Sequence, residues 1–109
     1  CIEMVMNESE FNALAEATLL SIEQQVEDAD TELDFEMSSG ILTLTAENGS
    51  KIIINRQVAT QEIWVAARSG GYHLGRQGDV WFCQTTGETL QELLTRVVVE
   101  QGGEKISFT

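Results

Sequence analysis

The sequence predicts an α+β fold. It reads as a two-layer α/β sandwich, with N- and C-terminal helices packed on one face of an antiparallel sheet of five to six strands. Apolar residues recur at helical spacing only near the two ends of the chain. Between them, short runs alternate apolar and polar at period two. Each such strand has a single apolar face, so both helices are expected on the same side of one sheet. The opposite face then meets water or a partner. The length of 109 residues suits one domain with a real core, burying roughly 65% of its unfolded surface. Residues 6–109 read as that domain and residues 1–5 as a leader ahead of Met6.

The first helix is expected over Ser9–Asp30, with Ser9 as cap and Glu10 in the first turn. At about 100° per residue, Phe11, Leu14, Ala15, Thr18, Ile22, Val26 and Ala29 share one face, which leaves Leu20 exposed. Leu33–Met37 alternates apolar with acidic, and Ser38-Ser39-Gly40 turns the chain. Ile41–Ala46 and Lys51–Gln57 are the next two strands, joined through a tight turn at Asn48-Gly49. Gln61–Ala67 is a fourth strand, broken by Ser69-Gly70-Gly71. Tyr72–Leu74 and Val80–Gln84 read as shorter strands around a turn at Gly75–Asp79. The last helix starts at a capping box, Thr89 with Glu92, and buries Leu90, Leu93, Leu94, Val97 and Val98 before Gly102-Gly103 ends it. With no proline in the chain, glycines carry the punctuation.

Composition narrows the function. Six Lys and Arg against 18 Asp and Glu give a net charge of −12. Nucleic-acid binding and anionic membrane surfaces are excluded as partners on that ground, because phosphate contacts need a basic surface. Cations or a basic protein are favoured. No apolar run approaches the ~20 residues of a membrane span. Cys1, on a fraying terminus, and Cys83 make no disulfide scaffold, and no paired-cysteine ligand spacing occurs, so a reducing cytoplasm is the expected setting. The opening CIEMV lacks Lys and Arg and reads as neither signal nor transit peptide.

The acids are distributed unevenly. Glu16, Glu23, Glu27 and Asp30 fall within about 60° of one another on the first helix. Asp34 and Glu36 add to them on the outer face of the first strand, and residues 1–50 contain no Lys or Arg. Two readings stand: a solvated acidic face kept for solubility, or a ridge of hard oxygen ligands for cations. An EF-hand is excluded. With Asp28 at position 1, position 6 is Leu33 and position 12 is Ser39, where the motif needs Gly and Glu. On the outer sheet face, inward Ile52, Ile54, Ile63 and Val65 place Asn55, Gln57 and Trp64 outside, a grouping that resembles a binding hot spot. Trp81 and Cys83 are expected in the core. His73, the single histidine, reads as an exposed strand or loop residue, with metal ligation or partner contact as the alternative. No phosphate-binding loop, nucleophile elbow or zinc-protease motif occurs, and nothing assembles a nucleophilic site.

Several blocks together resemble the frataxin family, in particular its bacterial branch. They are MNESEF at the start, NGSKIIINRQ, QEIWVA, GGYHL, the tryptophan of DVWF and the TGETLQELL helix start. The resemblance runs from Met6 to about Phe108. It implies a helix–antiparallel sheet–helix sandwich, in agreement with the element order above. It also implies weak binding of Fe²⁺ or Fe³⁺, with other divalent cations able to substitute, on an acidic ridge. Carried over by position, that ridge is Glu23, Glu27, Asp28, Asp30, Glu32, Asp34 and Glu36. The implied partners are the cysteine desulfurase and the scaffold protein of iron–sulfur cluster assembly, with Asn55, Gln57 and Trp64 as partner-binding residues. The implied role is a monomeric, non-enzymatic iron chaperone or rate regulator. Its rivals are a ferroxidase or iron-storage enzyme and a metal-independent acidic adaptor of the desulfurase.

Overall fold

The computed structural model describes residues 7–102 and 105–109. The expectations for Cys1, for the 1–5 leader with its start at Met6, and for Gly103 lie outside these residues. The elements run α1 (Glu8–Ala29), β1 (Asp34–Ser38), β2 (Ile41–Thr45), β3 (Lys51–Gln57), β4 (Glu62–Ala67), β5 (Gly70–Gln77), β6 (Val80–Cys83), β7 (Glu88–Thr89) and α2 (Leu90–Glu100). The seven strands form one antiparallel meander in sequence order. Both helices cover its inner face. Among the described residues no helix is long and apolar enough to cross a membrane.

The N-cap of α1 lies two residues before the expected one. Asn7, not Ser9, is the N-cap: its Oδ1 accepts the Glu10 backbone N–H at 2.8 Å, and the Glu10 carboxylate accepts the Asn7 N–H at 3.1 Å. Asn7 wins because a glutamate sits at the third helical position to return the bond. The buried face is Phe11, Ala15, Leu19, Ile22 and Val26. Leu19 is an addition to the expected stripe, and Leu20 is exposed as read.

The β1–β2 hairpin closes through Ser39 and Gly40, both at positive φ (52° and 77°), the turn geometry that matches strand twist. β5 departs from expectation. Gly70 and Gly71 do not break the strand, and Gly75 is not in a turn. A two-residue turn at Arg68-Ser69 instead brings Gly70 opposite Ala67, and the ladder runs on to Gln77. Pairing with β4 on one side and β6 on the other overrides the low strand propensity of these glycines. β7 is a two-residue addition to the strands read from sequence.

Below the sheet, Trp81 is 2% exposed. It packs edge-on against Phe11 (ring centroids 6.0 Å apart) and donates its Nε1–H to Thr18 Oγ1 at 2.9 Å. Leu90, Leu93, Leu94, Val97 and Val98 of α2 complete the core, and Cys83 is buried with them. Gln101, only 3% exposed, ties the end of α2 to the sheet. Its Oε1 accepts the Arg68 N–H at 2.6 Å, its Nε2 donates to the Lys51 carbonyl at 3.2 Å, and its own carbonyl accepts from Asn48 Nδ2 at 2.8 Å. The next residue is Gly102 at φ 88°, where an added Cβ would lie 2.8 Å from Asn48 Nδ2. The left-handed conformation favours glycine there, and a side chain would also push the Asn48 amide off its bond to Gln101.

Candidate metal ridge and partner face

The end of α1 and the start of β1 bring the seven ridge carboxylates into one continuous segment. Glu23 is half-buried, while Glu27, Asp28, Asp30, Glu32, Asp34 and Glu36 are exposed. Asp30 is the C-cap in the left-handed conformation (φ 52°, ψ 48°), its N–H donating to the Glu27 carbonyl. Thr31 Oγ1 then accepts the Leu33 N–H at 3.2 Å, and the buried Leu33 pins the corner. Pleat alternation around Leu33, Phe35 and Met37 turns Glu32, Asp34 and Glu36 outward.

Electrostatically this segment is unfavourable in isolation. Glu27 and Asp28 sit at the negative end of the helix dipole, and the last turn holds no basic residue. None of the seven carboxylates is ion-paired among the described residues; Asp28 accepts a hydrogen bond from Gln24 Nε2 at 3.0 Å. Arg96 on α2 is committed elsewhere. It makes two 2.9 Å bonds to the Glu88 carboxylate and a third to Glu100. Those bonds hold the Glu88 carboxyl below its ordinary value and raise the guanidinium above its own. Among the described residues no three His, Cys, Asp or Glu side chains converge on one point. The ridge can therefore offer oxygens to a hard cation one or two at a time, with water completing the shell.

The outer sheet face carries a second surface. Asn55, Trp64 and His73 are successive cross-strand partners on β3, β4 and β5, and Gln57 faces Glu62 one row further along. The structure thus brings Asn55, Gln57 and Trp64 together. Trp64 is 38% exposed, and a shallow cavity of about 300 Å³ beside it is lined by Ile53, Asn55 and His73 among others. His73 stacks on the Trp64 ring, centroids 3.9 Å apart and planes within 16°, with its Nδ1 3.9 Å from Glu62 Oε1. Sequence reasoning missed this stack and the part played by Glu62. Placing the hairpin turn at Arg68-Ser69 would have set His73 opposite Trp64. The two surfaces meet at β1, where Asp34 and Glu36 belong to the ridge and to the outer sheet face alike.

A helix–meander–helix sandwich with an acidic first helix and a tryptophan on the open sheet face defines a class, the frataxin-like domains. Residues 4–104 match the family model for the frataxin-like domain. The chain belongs to the frataxin family, in its CyaY branch. It is similar to a frataxin from Psychromonas ingrahamii, studied as a model of stability modulation within the CyaY family, with TM-score 0.89 and 32% identity over 95% of this chain and 99% of that one. It is also similar to trimeric frataxin from the yeast Saccharomyces cerevisiae in its ferrous complex, with TM-score 0.69 and 25% identity over 91% and 88% of the two chains. A further yeast frataxin structure shares the fold at TM-score 0.67 and 21% identity, over 94% and 95%.

Proposed function

We propose that this protein is a non-enzymatic iron-binding regulator of iron–sulfur cluster assembly. It holds Fe²⁺ or Fe³⁺ loosely on the ridge and docks on the cysteine desulfurase and its scaffold, as a monomer in the cytoplasm. The observation that carries the reading is the run of seven carboxylates from the dipole-negative end of α1 into β1, none of them ion-paired among the described residues. A free fold gains nothing from that placement; a bound cation or a basic partner relieves it. The ferrous complex of a yeast relative supports the metal half of the reading. The exposed Trp64 beside Asn55 and Gln57 supports the docking half, because a large amphipathic ring among amides suits a protein interface.

The scattered geometry of the ridge favours one alternative, an acidic adaptor that binds the desulfurase without metal. Desulfurase capture with and without anaerobic Fe²⁺, on wild type and on a Glu27→Gln/Asp30→Asn/Asp34→Asn variant, separates the two. The proposal expects Fe²⁺ to change the affinity of wild type and to leave the variant unaffected. Affinity that ignores iron in both proteins points to the adaptor.

A further inference from the structure

The outer face of β5 presents Gly71, His73 and Gly75 at alternate positions. Backbone conformation does not explain the two glycines. Positive φ occurs in this hairpin region at Gly70 and Gly78, not at Gly71 or Gly75. Space within the fold does not explain them either, since a Cβ built on either would meet no heavy atom within 4 Å. That also rules out a ring lying over the glycine, even though Phe82 is the cross-strand partner of Gly75. Glycine inside a strand weakens it. These two therefore reduce the stability of β5 and return nothing to the isolated domain. Close approach by another molecule is the remaining use for bare strand backbone.

A trough of about 390 Å³ lies over this stripe. Register sets Gly75 on its floor, between Glu62 and Phe82. His73, Gln77 and Gln84 contribute polar edges, and no Lys or Arg lines it. Glu62 is the carboxylate among its described lining residues, with His73 Nδ1 3.9 Å from its Oε1. His73 and Gly71 line both this trough and the cavity beside Trp64. A protein of net charge −12 with a carboxylate here suits a cationic visitor.

We infer that the Gly71–His73–Gly75 stripe seats an extended segment of the partner protein, backbone against the glycine floor, with a lysine or arginine of that segment reaching Glu62. The inference rests on the proposed docking role of the outer face, and it names Gly75 and Glu62 as specificity-determining residues of that interface. The experiment measures binding of immobilised wild type, Gly75→Thr, Gly71→Ser and Glu62→Gln to a purified cysteine desulfurase–scaffold assembly across a salt series, with a melting curve for each protein. A Cβ at Gly75 meets nothing within 4 Å and threonine has the higher strand propensity, so Gly75→Thr should melt no lower than wild type yet bind at least tenfold more weakly. Gly71→Ser, a smaller change, should weaken binding in the same direction. Glu62→Gln should bind more weakly and lose part of the salt dependence. Folded glycine variants that bind as wild type does would overturn the trough and leave the docking reading intact. Absence of binding by wild type itself would overturn the docking reading, and the trough with it.

Discussion

Asp30 joins strain to charge at one position, and its replacement by glycine should raise stability while lowering cation affinity. Its backbone is left-handed at φ 52°, a conformation that costs an L-residue roughly 1–2 kcal/mol, with Asp near the lower end because its short side chain tolerates the region. Its carboxylate lies at the dipole-negative end of α1, unfavourable by about 0.3–1 kcal/mol at low ionic strength. Asp30→Gly removes both, against the greater freedom that glycine brings to the unfolded chain. The net gain is about 1 kcal/mol, which for a domain of this size shifts the melting temperature upward by roughly 4–8 °C. Asp30→Asn separates the contributions: it removes the charge, keeps a side chain suited to the left-handed region, and should gain about half as much. The assay is thermal unfolding by circular dichroism in low-salt buffer, paired with Mn²⁺ titration of each protein. A glycine variant that melts below wild type would refute the strain argument. A variant that binds Mn²⁺ as tightly as wild type would remove Asp30 from the ridge.

Trp64→Ala should leave the fold nearly intact and impair partner binding, whereas Trp81→Ala should cost about 3–5 kcal/mol as a core aromatic; paired melting curves and desulfurase binding distinguish them. Gln101→Ala strands the Arg68 N–H and the Lys51 carbonyl at the end of α2, and should cost roughly 2–3 kcal/mol in urea unfolding. Glu88 has its folded pKa below its unfolded value because of Arg96, so its contribution is complete above the ordinary carboxylate range and disappears as pH falls through the folded value. Glu88→Gln should therefore lower stability at pH 7 by up to about 1 kcal/mol, and the difference should shrink as the pH falls through the folded value; a deficit that persists in acid would show that packing, not charge, is what the variant lost.

The inward alternation of Ile63 and Val65 places Trp64 outside, and the pairing of Trp81 with Cys83 two residues on places Trp81 inside, because a strand with one buried face has only one register that works. The helix faces followed equally directly from spacing. What failed was local. Ser9 and Asn7 are both good caps, and only the reciprocal glutamate at Glu10 separates them. Gly70, Gly71 and Gly75 look like punctuation in a sequence, and only the neighbouring strands turn them into ladder. The Trp64–His73 stack follows from that ladder, since the partner of a residue across a hairpin depends on which two residues make the turn. The ridge was visible as a run of acids without compensating bases. The lack of a convergent ligand set among the described residues agrees with what a surface run of adjacent acids, without paired Cys or His spacing, implies.

Cation binding by the ridge carboxylates of the folded protein, on which the proposed function rests, would appear as added stability. A cation at ~100 times its dissociation constant stabilises the form it binds by ~2.7 kcal/mol. The direct measurement is a melting series with anaerobic Fe²⁺, matched in ionic strength by NaCl, on wild type and on Glu23→Gln/Glu27→Gln/Asp30→Asn/Asp34→Asn. The quadruple variant should start more stable, freed of like-charge repulsion, and show a much smaller Fe²⁺ shift than wild type. Equal Fe²⁺ shifts in the two proteins would contradict cation binding at the ridge.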